Sequence, residues 1–131
     1  KGVFKPGNHG STFGGNPLAM TAVVTTLDTI KEEGLLENAE RVGKVIREGL
    51  APLAGAVAEV RGMGLMIGVE LRQPCGELVK AALDAGLVIN VTAENVIRLL
   101  PPLVMSEAEG RMVVERLLPL VKAFLDKRAA A

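Results

Sequence analysis

A change of hydrophobic period in the first half of the chain most constrains its fold. From Leu35 to about Leu50 the pattern is helical. Leu36, Ala39, Val42, Gly43, Ile46 and Leu50 share one face, while Glu37, Glu40, Arg41, Lys44, Arg47 and Glu48 cover the other. Beyond this segment the period drops to two. Val57–Arg61 and Leu65–Arg72 read as strands joined at Gly62-Met63-Gly64, which predicts a tight hairpin. One element type cannot satisfy both periods, so the fold must be mixed.

The flanking segments extend this reading. Asn16 is placed to cap a helix whose first residue is Pro17, where the missing N–H costs nothing. Met20, Val23, Val24, Leu27 and Ile30 form its stripe, and Leu18, Ala19 and Ala22 make the first turns apolar nearly all round. This predicts a helix buried on more than one side and stopped at Gly34. After the hairpin come a short helix, Glu77–Ala85, ended by Gly86, and a second strand pair, Leu87–Val91 and Val96–Leu100, about a turn at Thr92–Asn95. Pro101-Pro102 stops the last strand. Ser106 and Glu109 are spaced as a capping box for a final helix, although Gly110 weakens that turn. Its apolar face is Val113, Leu117, Leu120, Val121 and Phe124, and Pro119 is expected to kink or split it. The order α-α-β-β-α-β-β-α predicts an α+β fold, a mostly antiparallel sheet of about four strands covered by helices on one face.

At 131 residues, 49% of them hydrophobic, the chain can bury one real core. Aromatics are only 2%, so that core must be aliphatic. Fifteen basic residues balance fifteen acidic ones with no basic block, which provides no electrostatic footprint for nucleic acid or an anionic membrane. No apolar run approaches the ~20 residues of a membrane span, and no secretory leader is expected. The single cysteine, Cys75, excludes an internal disulfide framework and fits a reducing, cytoplasmic compartment.

Two places carry candidate chemistry. His9-Gly10-Ser11-Thr12-Phe13-Gly14-Gly15-Asn16-Pro17 sets two hydroxyls and flexible amides just before a helix, a sensible anion site. It is not a P-loop, since no Gly-Lys-Ser/Thr follows. On the residues alone, a glycine-rich connector with an ordinary helix cap is the simpler reading. The second is Arg98, within the aliphatic run Val96-Ile97-Arg98-Leu99-Leu100. A guanidinium there is costly unless it meets an anion, and its planar fork matches a carboxylate at two points. An edge-strand arginine pointing to water is the equal alternative. Gly62-x-Gly64 with Gly68 has the wrong spacing for a dinucleotide fingerprint and leads into a strand, so the glycines are read as hairpin turn and close packing. His9, the only histidine, lacks partners for a triad or metal site. Cys75, in a Gln-Pro-Cys-Gly turn, is read as a plain thiol.

HGSTFGGNPLA resembles the segment of class III, ornithine/acetylornithine-type aminotransferases that crosses the dimer interface. The resemblance continues through VRGMGLMIGVEL and VIRLLPPL and covers essentially the whole chain. It implies the carboxy-terminal part of a fold-type I pyridoxal-phosphate (PLP) enzyme. Residues 1–15 would be a cofactor-phosphate and interface arm, 16–34 a connecting helix and 35–131 the small domain. It implies that Thr12, with Ser11 as helper, binds the cofactor phosphate of the neighbouring subunit, and that Arg98 binds the substrate α-carboxylate. The catalytic lysine is expected upstream, because lysines 1, 5, 31, 44, 80, 122 and 127 match no family motif, so this chain alone is expected to be inactive. The implied parent is a homodimeric transaminase of arginine biosynthesis that moves an amino group from N-acetylornithine to 2-oxoglutarate. The alternatives are an ornithine, succinylornithine or 4-aminobutyrate transaminase, the aminomutase acting on glutamate semialdehyde, and a non-catalytic ligand-binding module.

Overall fold

The computed structural model of the chain describes residues 3, 5–8 and 10–129. His9 lies outside them. Two compact units are present, Lys1–Gly34 and Leu35–Ala131.

The first unit holds helix α1, Pro17–Glu32. Asn16 caps it, its Oδ1 accepting from the Ala19 N–H at 3.0 Å, and Gly34 leaves it with φ of 61°. The expected burial is not found, since no residue of α1 is buried. Among the described residues this unit has no second helix or strand to cover the stripe, so the stripe stays exposed.

The second unit builds α2 (Leu35–Gly49), a 3-10 turn (Ala51–Leu53), β1 (Glu59–Met63), β2 (Met66–Glu70), α3 (Glu77–Asp84), β3 (Asn90–Thr92), β4 (Val96–Leu99) and α4 (Glu107–Ala129). The four strands form one antiparallel sheet in the order β1-β2-β4-β3. The α+β reading therefore holds. Ile67, Val69, Ile97 and Leu99 form the sheet's side of the core, with Val42, Ile46, Leu78, Leu117 and Val121 from the helices. The core is aliphatic apart from Phe124 and Cys75, as the composition requires.

Three details differ from expectation. The first hairpin turns at Gly64-Leu65, because Met63 pairs with Met66 and Gly62 with Ile67 inside the ladder. Gly64 takes φ of 52°, as a first turn residue must in a two-residue hairpin. Gly62 serves close packing, since a Cβ there would run into the Met66 carbonyl. Second, α4 is continuous through Pro119. Pro119 and Glu115 are exposed, so the carbonyl that loses its partner faces water. Third, Gly110 has a packing reason. A Cβ there would meet Val42 at 3.0 Å and Ile46 at 3.5 Å, so its absence lets α4 close on α2. The capping box itself forms, with the Ser106 N–H donating to Glu109 at 2.8 Å and the Glu109 N–H to Ser106 Oγ at 3.3 Å.

Candidate functional site

Strand alternation sorts the sheet into a core face and an open face. On the open face one row crosses all four strands: Arg61 opposite Gly68, Gly68 opposite Arg98, Arg98 opposite Asn90. Its arginines are in different states. Arg61 Nη1 donates to Glu59 at 2.8 Å and to Glu70 at 2.6 Å, and the Glu70 bond, then the Glu59 bond, raise its pKa above the ordinary value. Arg98 is exposed and has no hydrogen bond or ion pair among the described residues. Every other arginine donates to a carbonyl, an amide oxygen or a carboxylate. β4 is an inner strand, pairing with β2 on one side and β3 on the other, so Arg98 does not lie on a sheet edge, although its side chain is exposed.

Arg98 lines a cleft of about 430 Å³ walled by Ile46, Leu87, Ile89, Leu99, Pro102 and Met105 among others, with Asn90 as the other polar side chain. An uncommitted guanidinium beside an apolar wall and an amide suits a small carboxylate with a carbon chain. The loop closing this cleft is tied down by a residue that helical periodicity hides. Asn38, on α2, donates from Nδ2 to the carbonyls of Leu103 at 2.7 Å and Met105 at 2.9 Å. Its Oδ1 accepts from Arg41, which also pairs with Glu107 at 3.2 Å. An asparagine inside a run of good helix formers was the available signal. At the far end of β4 the turn holds Ala93 and Glu94 at φ of 49° and 65°. These left-handed residues cost roughly 1–2 kcal/mol each. The Cys75 N–H donating to the Glu94 carbonyl at 2.9 Å, and Asn95 Nδ2 donating to the Leu71 carbonyl at 2.7 Å, hold the turn in place. Cys75 itself is fully buried in the core, and desolvation pushes its thiol pKa up, away from nucleophilic use.

In the first unit, Ser11, Thr12 and Phe13 are exposed. Ser11 Oγ accepts from the Gly14 N–H at 2.8 Å, and Asn16 Nδ2 donates to the Phe13 carbonyl at 2.6 Å, so the loop is organised from within. Gly14 is required, since a Cβ there would lie 2.9 Å from that of Ser11. The helix start offers fewer free amides than its position promises. Pro17 has none, and those of Gly14 and Ala19 are taken. The side-chain donors left for an anion here are hydroxyls. Among the described residues the Thr12 hydroxyl has no partner, and Ser11, an acceptor in its turn, keeps its own proton to donate. Two exposed hydroxyl donors beside glycines at 10 and 15, where a Cβ would meet nothing within 4 Å, fit one side of a phosphate group.

The family model of class III aminotransferases matches residues 1–121. The chain belongs to the class III aminotransferases. Acetylornithine aminotransferase 1 of Bordetella pertussis (strain Tohama I) is 56% identical over 130 residues, 97% of this chain and 33% of that protein. An ornithine aminotransferase structure from Toxoplasma gondii, described with partial occupancy of PLP at the active site, matches with a TM-score of 0.84 and 36% identity over 95% of this chain and 31% of that one. An acetylornithine aminotransferase structure from Elizabethkingia anophelis gives 0.80 and 35%, over 92% and 32%. The chain thus spans about a third of the length of the curated relatives it matches. Class III aminotransferases are PLP-dependent, and the four-stranded antiparallel sheet of this chain is part of their fold. No helix among the described residues is long and apolar enough to cross a membrane.

Proposed function

We propose that this chain is the carboxy-terminal portion of an acetylornithine aminotransferase, a cytoplasmic homodimer that transfers an amino group from N-acetylornithine to 2-oxoglutarate. Residues 1–15 would be its cofactor and interface arm, 16–34 a connecting helix and 35–131 the small domain. The observation that carries the reading is Arg98, uncommitted at a cleft with apolar walls. The 56% identity to an acetylornithine aminotransferase favours N-acetylornithine over ornithine as donor.

In this reading Arg98 takes the α-carboxylate of the amino acid in a two-point pair, and Asn90, directly opposite on β3, offers its amide beside it. Fixing the carboxylate orients the Cα–H bond for proton removal, so the guanidinium acts by positioning. When bound, pyridoxal phosphate supplies the electron sink for transamination. Thr12 donates its hydroxyl to the cofactor phosphate of the neighbouring subunit. Ser11 holds the Thr12 loop through Gly14 and can donate to the same anion. No lysine of this chain is assigned to the cofactor, so the chain alone, mixed with PLP, would give no absorbance band of lysine-bound cofactor that survives dialysis.

The test is Arg98→Ala in the full-length enzyme. Losing a charge-assisted pair costs ~1.5–3 kcal/mol, about tenfold to a hundredfold or somewhat more in kcat/KM for the amino donor, with PLP retained. Arg98→Lys would rescue little, because an ammonium lacks the planar fork. Unchanged donor kinetics would end the reading. For Thr12 the test is a mixed dimer of two inactive parents, one Thr12→Ala and one lacking the catalytic lysine. Action across the interface restores about one working site per dimer, and action within a subunit restores none.

A further inference from the structure

We infer that Arg61 is a positioning residue for the substrate carboxylate: by holding Glu70, it keeps that side chain off Arg98. The inference rests on the assignment of Arg98 to a carboxylate and adds what keeps it available.

The register supplies the argument. Arg61 on β1 and Arg98 on β4 both stand opposite Gly68 of β2. Glu70 is two residues along β2 on the same face, directly opposite Glu59 on one side and Val96 on the other. From Glu70, therefore, each arginine is the same diagonal step away, one on each neighbouring strand. Diagonal neighbours in an antiparallel pair lie within reach of long side chains. By sheet geometry alone, Glu70 can serve either guanidinium.

In the structure it serves Arg61, at 2.6 Å. Two features bias the choice. Gly68 leaves room on β2 for the Arg61 stem, with Cγ 3.8 Å and Nε 4.0 Å from where a Cβ would stand, and Val96 Cγ1 closes the β4 side of the same spot at 3.4 Å. Arg61 Nη1 also accommodates Glu59 at 2.8 Å, which relieves the repulsion of two carboxylates placed directly opposite each other. Both carboxylates of the open face are thereby gathered on the β1 side. The β4 and β3 side, with Val96, Arg98, Asn90 and Thr92, has none of its own. Without Arg61, Glu59 would repel Glu70 toward the other strand, where Arg98 would pair with it and any incoming carboxylate would have to displace it.

The experiment compares variants of the full-length enzyme, with kcat and KM for the amino donor measured separately. Arg61→Gln is expected to raise KM about two- to fivefold, the worth of an exposed competing ion pair, with little change in kcat. Arg61→Gln combined with Glu70→Gln is expected to return KM to the parent value, because the competitor is gone. Arg61→Gln combined with Glu59→Gln is expected to lower the raised KM only in part, since Glu70 keeps its reach to Arg98 while the repulsion from Glu59 is gone. If Arg61→Gln merely loosens the fold, neither second substitution restores KM selectively, and that result overturns the inference. An unchanged KM in Arg61→Gln, with Arg98→Ala still impaired, also overturns it while leaving the role of Arg98 standing. If Arg98→Ala itself is normal, both fall together.

Discussion

Helices α1 and α2 both carry apolar stripes in sequence, α2 on one sharply defined face and α1 more diffusely, yet they meet different fates. In the unit Leu35–Ala131, Val42 and Ile46 of α2 are fully buried among sheet and helix side chains. In the unit Lys1–Gly34, α1 buries no residue, and Leu18, Val24 and Leu27 are 81%, 57% and 60% exposed. A stripe states which face needs a cover. Whether the cover exists depends on the other elements of the unit, and among the described residues the first unit has none. Hydrophobic side chains on α2 are thus expected to hold the fold, and those on α1 to do little for the stability of this chain.

The largest expected effect comes from deleting core volume in α2. Ile46→Ala removes buried methylenes and leaves a cavity, which costs about 2–5 kcal/mol. Leu27→Ala on α1 is the matching change without burial, and is expected to stay within about 0.5 kcal/mol. Urea denaturation of both variants checks the comparison, and equal losses would break it. Gly43→Ala sharpens it further. Its Cβ would run into the Gly64 carbonyl, which already accepts from Arg47 at 3.0 Å, so α2 and the first hairpin turn would have to separate. Such overpacking costs about 1–3 kcal/mol. The same substitution at Gly10 meets open space.

The contrast also explains what was legible in the sequence. The amphipathic period of α2, the two hairpins and the Ser106–Glu109 box are local patterns, and each appears in the structure, although β3 begins at Asn90 instead of Leu87 and Leu35, not Leu36, is the buried leucine at the start of α2. The hairpin joint lies one or two residues from the expected place because three glycines within seven residues, at 62, 64 and 68, do not say which one turns. Here close packing claims Gly62 and the positive φ falls on Gly64. The burial that the all-round apolarity of α1 predicts is absent from this chain, because periodicity reports a face and not its partner. At the candidate site, Arg98 stood out as a charge in an aliphatic run. That β4 is an inner strand, and that Arg61 and Arg98 both stand opposite Gly68, are matters of strand order and register, which have no local signature. Asn38 was hidden for the same reason, since the carbonyls it binds at Leu103 and Met105 are 65 and 67 residues away.

Helix caps offer a smaller test of the same contrast. Ser106→Ala removes the acceptor for the Glu109 N–H at the start of α4, a helix packed into the core, and is expected to cost about 1 kcal/mol of global stability. Asn16→Ala removes the equivalent bond of α1. It is expected to fray that helix in hydrogen exchange while leaving the urea midpoint of the second unit unchanged. The Ser106 box also has a pH signature. The Ser106 N–H, and then its hydroxyl, hold the Glu109 carboxyl below the ordinary carboxylate range. A depressed folded pKa means the contribution is present above the unfolded value, about 4.3, and is lost as pH falls through the folded one. The gap in melting temperature between the parent and Glu109→Ala should therefore close in acid. A gap that widens there would show that the box is not the source.

The smallest effect on stability is expected from making α1 polar, and its value lies in a second readout. Val24→Ser and Leu27→Ser sit on a helix with no buried residue, so neither removes a core contact and the urea midpoint should hold within about 0.5 kcal/mol. The parent chain, however, presents Leu18, Met20, Val23, Val24 and Leu27 to solvent together on two or three turns of one helix. A contiguous exposed apolar patch is a site for association. The isolated chain is therefore expected to self-associate in sedimentation at high concentration, and the double serine variant to sediment closer to a monomer. The two measurements must separate for the contrast to stand. A variant with unchanged midpoint and weaker association would show that the α1 stripe serves an intermolecular contact. A parent that sediments as a clean monomer at every concentration would show that exposure of this stripe has no such consequence.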